Sequence, residues 1–405
     1  MIYRELAEEA ERYLEVVQGI RRDLHQIPEF GLDLPKTRER ILASIHGLGE
    51  IHLSDKLSSI VLHIKGGQPG PTVLLRADMD ALAVEENTGL DYASTNGYMH
   101  ACGHDLHMAI GIGAAHLLAT HKADLKGDVL VWFQPGEEGH GGADVMLEEN
   151  MHMITGSKPI AAYGIHVTSS WQPPRTFGGK AGALMASASD LIVTFTGRGG
   201  HGSSPWMAKD PISAMTDAMA GLQTMINKQF NVFDPVVVNI GWLKAGDDHT
   251  TNVIPEKAAF GATIRTFSPG MLDNLKKHVT AYLEGTAAAF GVTVDIDWGQ
   301  YATEVVMNDP AATERVRKVV REAFGEQAWM EWPHPIAGAE DFGSVVREMP
   351  GAFIFLGAAP ADTDWQNAAP NHSNRAVFDD SVVPSGCALL AGLAFDVLNE
   401  AAAKA

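Results

Sequence analysis

Cysteine is nearly absent: Cys102 and Cys387 are the only two in 405 residues. A disulfide framework is therefore excluded, and a reducing, cytoplasmic compartment is expected. Positive charge is scarce too, with 30 Lys+Arg against 50 Asp+Glu and a formal net charge of −20. Such a surface repels polyanions, so neither a nucleic-acid nor a membrane partner is expected. No run of membrane-spanning length stands out. The N-terminal "MIYRELAEEAERYLEVV" carries charges where a secretory signal needs an apolar centre. What is present is an ordinary globular mixture, 45% hydrophobic and 20% charged. That length and composition suit two or more domains with a large unstapled core.

Residues 3–27 predict an amphipathic helix stopped by Pro28. "TVLLRADMD" (72–80), "GDVLVWFQPGEE" (127–138) and "IAAYGIHV" (160–167) predict buried strands, each ending in acids or near a histidine. A helix is expected over 107–121, and a later strand, "AFIFLG", over 352–357. Strand–helix alternation with polar residues at strand ends predicts an α/β fold whose site lies at the carboxyl edge of a sheet. Between residues 186 and 300 the pattern becomes βαββαβ, the order of a ferredoxin-like unit. The expected architecture is a discontinuous first domain, 1–185 and 301–405, interrupted by a second at 186–300.

"MHACGHDLHMA" (99–109) crowds Cys102, His104 and other polar groups ahead of the helix expected at 107. A thiolate and an imidazole on one short loop are metal-ligand chemistry, but two ligands do not make a site. Glu137 and Glu138 of "GEEGHGG", His166 of "GIHV" and His372 of "NHSN" offer more, all near expected strand ends or loops. Each has a plain alternative: a chance Cys-x-His, a solvated acidic turn, a core or capping histidine. Asp105 could cap the helix. Cys387 reads as core.

Taken together, these stretches resemble the M20 metallopeptidase family, in the amidohydrolase branch of hippurate hydrolases and N-acyl-amino-acid deacylases. The resemblance runs in order through "RRDLHQIPEFG", "LLRADMDAL", "MHACGHDLHMA", "FQPGEEGHGGA", "GIHV", "GRGGHGSSP", "NVIP", "TIR", "GAEDFG" and "NHSN". It implies a mixed-sheet metal-hydrolase domain with an inserted lid and dimerisation domain. It also implies two divalent ions, zinc or manganese, with cobalt or nickel as further candidates. Cys102 would be shared by both ions, Glu138 and His372 would complete one set, and His104 and His166 the other. Glu137 would be the general base, moving a proton from the attacking water to the leaving amine. Asp80 would be a supporting carboxylate. Relatives outside this branch carry a ligand histidine where this chain has Asp78, so Asp78 is left open, as are His100, His107 and His140.

The resemblance further implies that His201 of "GGHGSSP" acts near the scissile carbonyl, donated by a partner subunit of a homodimer or higher oligomer. Asn252 and Arg265 would hold the substrate's carboxylate or carbonyl. Trp206 stands where relatives commonly have a histidine. The expected activity is hydrolysis of small N-acyl amino acids, with acetyl, benzoyl or other aroyl groups, to a carboxylic acid and a free amino acid. The alternatives are a metallo-dipeptidase or carboxypeptidase of the same family, or a metal-binding homologue without turnover.

Overall fold

Strands that are apolar on both faces need cover on both sides, and three here have that character. They are β3 (Gln68–Asp78), β4 (Lys126–Gln134) and β5 (Ala161–Thr168); every residue of β5 is buried. The computed structural model describes residues 2–299 and 301–404. In it β3 pairs in parallel with both β4 and β5, and β5 pairs in parallel with the strand Gly351–Gly357. Two antiparallel strands, β1 (Glu50–Leu53) and β2 (Ile60–Ile64), extend the sheet beyond β4. With β6 (Phe177–Gly179) and Trp329–Glu331 the sheet has eight strands, and the fold is mixed α/β.

Helices α1 (Ile2–Arg12) and α2 (Leu14–His25) replace the single helix expected over 3–27. The break is Tyr13, whose ψ of 2° lies outside the helical range. Next come α3 (Pro35–Ile45), α4 (His104–Thr120) and α5 (Gly142–Glu148). Helix α4 begins three residues before the expected start, so His104 is its first residue rather than part of a preceding loop.

Helix α4 is buried along nearly its whole length and packs on the last helix, Val383–Lys404. Small residues permit the approach. A Cβ on Gly113 would fall 2.3 Å from Cys387 Sγ, and one on Gly386 would fall 2.6 Å from Ile110 Cδ1. Cys387 is thus a core residue, 2% exposed. The segment Asp380–Lys404 is long and apolar enough to cross a membrane, a run the sequence reading passed over. Its most apolar window is 83% buried within the protein, which accounts for the apolarity through core packing.

The chain divides into two units. The first comprises Met1–Leu184, Val306–His334 and Asp341–Ala405. The second comprises Met185–Val305 together with Pro335–Glu340, a segment the sequence reading left in the first. The expected boundary at residue 300 lies outside the described residues. In the second unit Ser187–Thr196, Val236–Ala245, Lys257–Thr266 and Thr293–Asp297 form an antiparallel sheet. In chain order of these four, the strands lie 2-3-1-4. Helices Pro211–Gln229 and Met271–Phe290 pack on it through a separate apolar core.

The α4 crossing generates a prediction. Gly113→Ala should destabilise the protein by about 1–3 kcal/mol, the usual cost of overpacking. The double variant with Cys387→Ala should recover most of that loss in denaturant unfolding. Equal losses in the single and double variants would mean the thiol is not the obstacle.

Candidate metal centre

The parallel strands deliver their carboxyl ends to one edge, where the chain turns polar. β3 ends at Asp78, with Asp80 just beyond. β4 ends at Gln134 and leads into Glu137 and Glu138. β5 carries His166 near its end. Cys102 lies in a tight turn before α4, and the turn needs Gly103. Gly103 has φ +84°, and a Cβ there would fall 2.3 Å from Val167 Cγ2.

Six side chains converge. Cys102 Sγ lies 3.2 Å from His372 Nε2 and 3.4 Å from His166 Nε2. Glu138 Oε1 lies 3.3 Å from His372 Nε2 and 3.9 Å from His104 Nε2, and Glu137 Oε2 lies 4.0 Å from the same His104 atom. Several groups with metal-ligand spacing result, among them Cys102–His104–His166 and Cys102–Glu138–His372, and Cys102 belongs to both of these.

Hydrogen bonds sort the histidines. His104 Nδ1 donates to the Asp80 carbonyl oxygen at 2.8 Å, and His166 Nδ1 donates to the Val167 carbonyl at 2.7 Å. Each therefore turns Nε2 toward the cluster, the nitrogen that carries the lone pair when the ring is neutral. His107 is different. Its Nδ1 donates to Asp78 at 2.5 Å and its Nε2 accepts the Val167 N–H at 2.8 Å. With both nitrogens occupied, His107 supports the end of β5 and has no lone pair for an ion. Asp78 is equally committed, held by His107 and by Arg76 Nη1. Although burial opposes its charge, Arg76 and the two histidines keep its carboxyl well below the usual range.

Asp80 has a specific task. Its two oxygens accept the backbone N–H groups of Glu137 and Glu138, each at 3.0 Å. Beneath it, buried Arg76 binds Gln134 at 3.0 Å and Asp341 at 2.9 Å, and Asp341 accepts from Gln134 and from the Ala143 N–H. Asn371 ties down the last ligand. Its amide donates to the Val167 carbonyl at 3.0 Å and its oxygen accepts the Ser169 N–H at 3.0 Å. His372 itself has φ +69°, an uncommon backbone state held by its N–H bond to the Ala101 carbonyl at 2.8 Å. Sequence reasoning assigned neither Asn371 nor Arg76; "NHSN" contained the first signal, and an arginine inside an apolar strand was the second.

The donor set fits divalent cations. His104 Nε2 and Glu138 Oε1 are buried without a hydrogen bond. Burial opposes charge on His104, yet Asp78, Asp80 and Cys102 raise it well above the usual histidine range. Cys102 and Glu138 push His372 up to about 10. Burial, then Glu138, push the Cys102 thiol up. The pocket thus has a negative potential that thiolate, carboxylate and imidazole donors would share with bound ions.

The remaining expected residues lie elsewhere. Asp105 makes no helix cap; it pairs with Arg21 at 2.7 Å and His25 at 2.8 Å, because a buried carboxylate needs a buried cation more than α4 needs a side-chain cap. His100 is buried with neither ring nitrogen hydrogen-bonded, and burial lowers it to about 3. His140 meets Phe30 edge-on. His201, Asn252 and Arg265 belong to the second unit. His201 pairs with Val253 across a two-stranded ribbon, beside Asn252, whose carbonyl accepts the Gly202 N–H at 2.7 Å. Arg265 is on the four-stranded sheet, bonded to the Ala337 and Ile264 carbonyls and Thr263 Oγ1.

The sequence profile described as peptidase family M20/M25/M40 matches residues 74–396. The chain belongs to this family. It is 37% identical to an N-acetyldiaminopimelate deacetylase of Bacillus cytotoxicus, over 84% of this chain and 88% of that protein. It is 32% identical to thermostable carboxypeptidase 1 of Saccharolobus solfataricus, over 94% of this chain and 95% of that protein. Among solved structures it is similar to a Bacillus subtilis protein described as a dinuclear metal binding peptidase from the M20 family. That likeness has 30% identity and a TM-score of 0.81, covering 96% of this chain and 99% of the other. The M20 chain described here is a hydrolase of amide bonds, with candidate ligand groups of the kind such a centre needs.

Asp80→Asn tests the grip on the glutamates. An amide can accept only one of the two N–H groups and turns its own NH₂ toward the other. Metal affinity should fall about 10–100-fold, the usual cost of losing a supporting group, with the far-UV circular dichroism unchanged. Unchanged affinity in a chelator competition would show that the carboxylate is dispensable.

Proposed function

We propose that this protein hydrolyses the amide bond of N-acyl amino acids, releasing a carboxylic acid and a free amino acid. One observation carries the reading: Asp80 presents two consecutive glutamates beside the Cys102–His104–His166–His372 donors. Cys102, Glu138 and His372 would hold one divalent ion, and Cys102, His104 and His166 the other. Zinc suits this thiolate and imidazole set, with manganese, cobalt and nickel as alternatives. When bound, the ions would polarise the scissile carbonyl and make water more acidic. Glu137 receives the proton of the attacking water and delivers it to the amine as the C–N bond breaks. Asp80 keeps Glu137 and Glu138 in fixed register, so the two carboxylates do not exchange roles.

The substrate's amino-acid half calls for a cation. Arg265 bonds only to neutral oxygens, and no carboxylate lies within ion-pair distance of it among the described residues. That supports Arg265, with Asn252, as the anchor for the substrate carboxylate. His201 Nδ1 accepts from Ser203, through the backbone N–H at 3.2 Å and the hydroxyl at 2.8 Å. Its exposed Nε2–H is then a donor suited to a carbonyl oxygen. The second unit also exposes Trp206, Phe233, Trp242 and Leu243. These apolar side chains support a homodimer formed through that unit, in which His201 serves the partner's centre.

The named relatives bracket the substrate. A deacetylase favours a small acyl group such as acetyl, and benzoyl, as in hippurate hydrolases, tests a wider pocket. The carboxypeptidase relative keeps peptide substrates as the second reading. Hydrolysis assays of metal-refilled enzyme should therefore include N-acetyl- and N-benzoyl-amino acids, N-acetyldiaminopimelate and dipeptides. Turnover of dipeptides far above every N-acyl amino acid would overturn the first reading. Glu137→Gln should keep both ions and lose turnover by about 10²–10⁴-fold, whereas Glu138→Gln should also lose metal. The reverse pattern would swap the pair.

Complementation tests the shared site. Glu137→Gln and His201→Ala are dissociated together and re-associated. A mixed dimer then has one centre with both lesions and one with neither. Random pairing makes about half the dimers mixed, so roughly a quarter of wild-type activity should return. No recovery, with exchange confirmed by a mass-tagged chain, would confine His201 to its own subunit.

A further inference from the structure

At the edge of the eight-stranded sheet, away from the glutamates, sits a second group of metal donors. Glu50 and His52 are alternate residues of β1 and so share one face. His63 of β2 is directly opposite Glu50 in the register. Gly49 holds the strands close, since a Cβ there would fall 2.3 Å from the His63 carbonyl oxygen. His52 Nε2 lies 3.6 Å from one Glu50 oxygen, and His63 Nδ1 lies 3.9 Å from the other. The three offer ligand atoms mutually close enough for one ion.

Proton positions point the same way. His63 Nε2 donates to Asp128 Oδ2 at 2.9 Å, and Asp128 is fixed in turn by the Gly66 N–H at 3.2 Å. That leaves the Nδ1 lone pair of His63 facing the Glu50 carboxylate, an unfavourable approach of two acceptors. Carboxylate–histidine pairs of this kind commonly orient a metal ligand. A doubly protonated His63 would relieve the clash, but it would not account for His52. His52 Nε2 is buried and makes no hydrogen bond. A cation between the three donors satisfies both rings at once. Donors on a tetrahedral ion with bonds of ~2.0 Å sit about 3.3 Å apart, so small side-chain rotations suffice.

We infer that Glu50, His52 and His63 form a zinc-class divalent cation site at the sheet edge, oriented by Asp128 and separate from the hydrolytic centre. Two imidazoles and one carboxylate select zinc or nickel over calcium or magnesium. Asp128 is near the start of β4 and Gln134 ends it, a separation of ~20 Å at the rise of a strand. An ion there would clip β1, one of the sheet's two short edge strands and so open to fraying and to edge pairing, to β2.

The test uses the full-length enzyme, its hydrolytic centre first saturated with zinc. Further Zn²⁺ is titrated, and bound metal per chain is measured by elemental analysis after desalting. Wild type should retain one equivalent more than His52→Gln/His63→Gln, while the two proteins hydrolyse substrate at equal rates. Amide exchange over residues 50–53 should slow with Zn²⁺ in wild type alone. Equal stoichiometry in the two proteins overturns the site. If the double variant does not fold, Asp128→Asn replaces it, and its affinity for the extra equivalent, read against a chelating indicator, should fall about 10–100-fold. An unchanged affinity there overturns the proposal as well. Failure of either arm leaves the hydrolytic reading standing, because that reading is judged by turnover.

Discussion

A single buried carboxylate, Asp80, sets the geometry on which the candidate centre depends. Consecutive residues in a chain point their side chains in different directions, so a Glu–Glu pair can serve two roles only if its backbone cannot rotate. Asp80 prevents rotation by accepting both N–H groups at once. The same residue's carbonyl oxygen takes the Nδ1–H of His104, so one position fixes the glutamates and a histidine together. Asp80 can do this because β3 is central in the sheet, between β4 and β5. Its carboxyl end is the one point from which the turn after β4 and the start of α4 are both in reach.

Such an arrangement requires a cation below as well as above. Arg76 is 2% exposed, set between the apolar residues Leu75 and Ala77 of β3, and contacts Asp78, Gln134 and Asp341. Unpaired charges at this depth would cost several kcal/mol each. Arg76 instead neutralises the floor, so the negative potential of Glu138 and Asp80 remains directed at the ligand side. The pattern repeats at the start of α4, where Arg21 and His25 of α2 meet Asp105. The first helices of the chain thereby brace the turn that carries Cys102 and His104.

The parts of this organisation legible in the sequence were those with local signatures. Buried strands ending in acids, a Cys-Gly-His turn and a Glu–Glu pair are each contained within a few residues, and strand ends in an α/β sheet meet at one edge. What sequence could not convey were partnerships across long separations. Asp105 had the position of a helix cap, and nothing nearby indicated that Arg21 and His25 would claim it. The expected start of α4 lies too late because Cys102 and His104, two residues apart, read together as one loop motif, although the buried pairs make helix tolerable from His104. The role of Asn371 depends on Val167 and Ser169, brought close only by the fold. Glu50, His52 and His63 come from two strands whose register is invisible until they pair.

The chain carries 17 histidines, so a rule separating ligand from support matters more than proximity. The rule here is which ring nitrogen the backbone has already taken. His104 and His166 each give one N–H to a main-chain carbonyl, an acceptor that cannot be mistaken for a donor, and so turn the other nitrogen toward the cluster, where the neutral ring has its lone pair. His107 stands 5.3 Å from the ring of His104, near enough to join a ligand group by distance, yet a backbone N–H occupies its second nitrogen. A main-chain donor enforces a lone pair and uses it up; a main-chain acceptor enforces a proton and frees the opposite side. The fold therefore assigns ligand character through peptide groups at the ends of β3 and β5. Swapping side chains without moving those peptides would leave the same nitrogens facing inward.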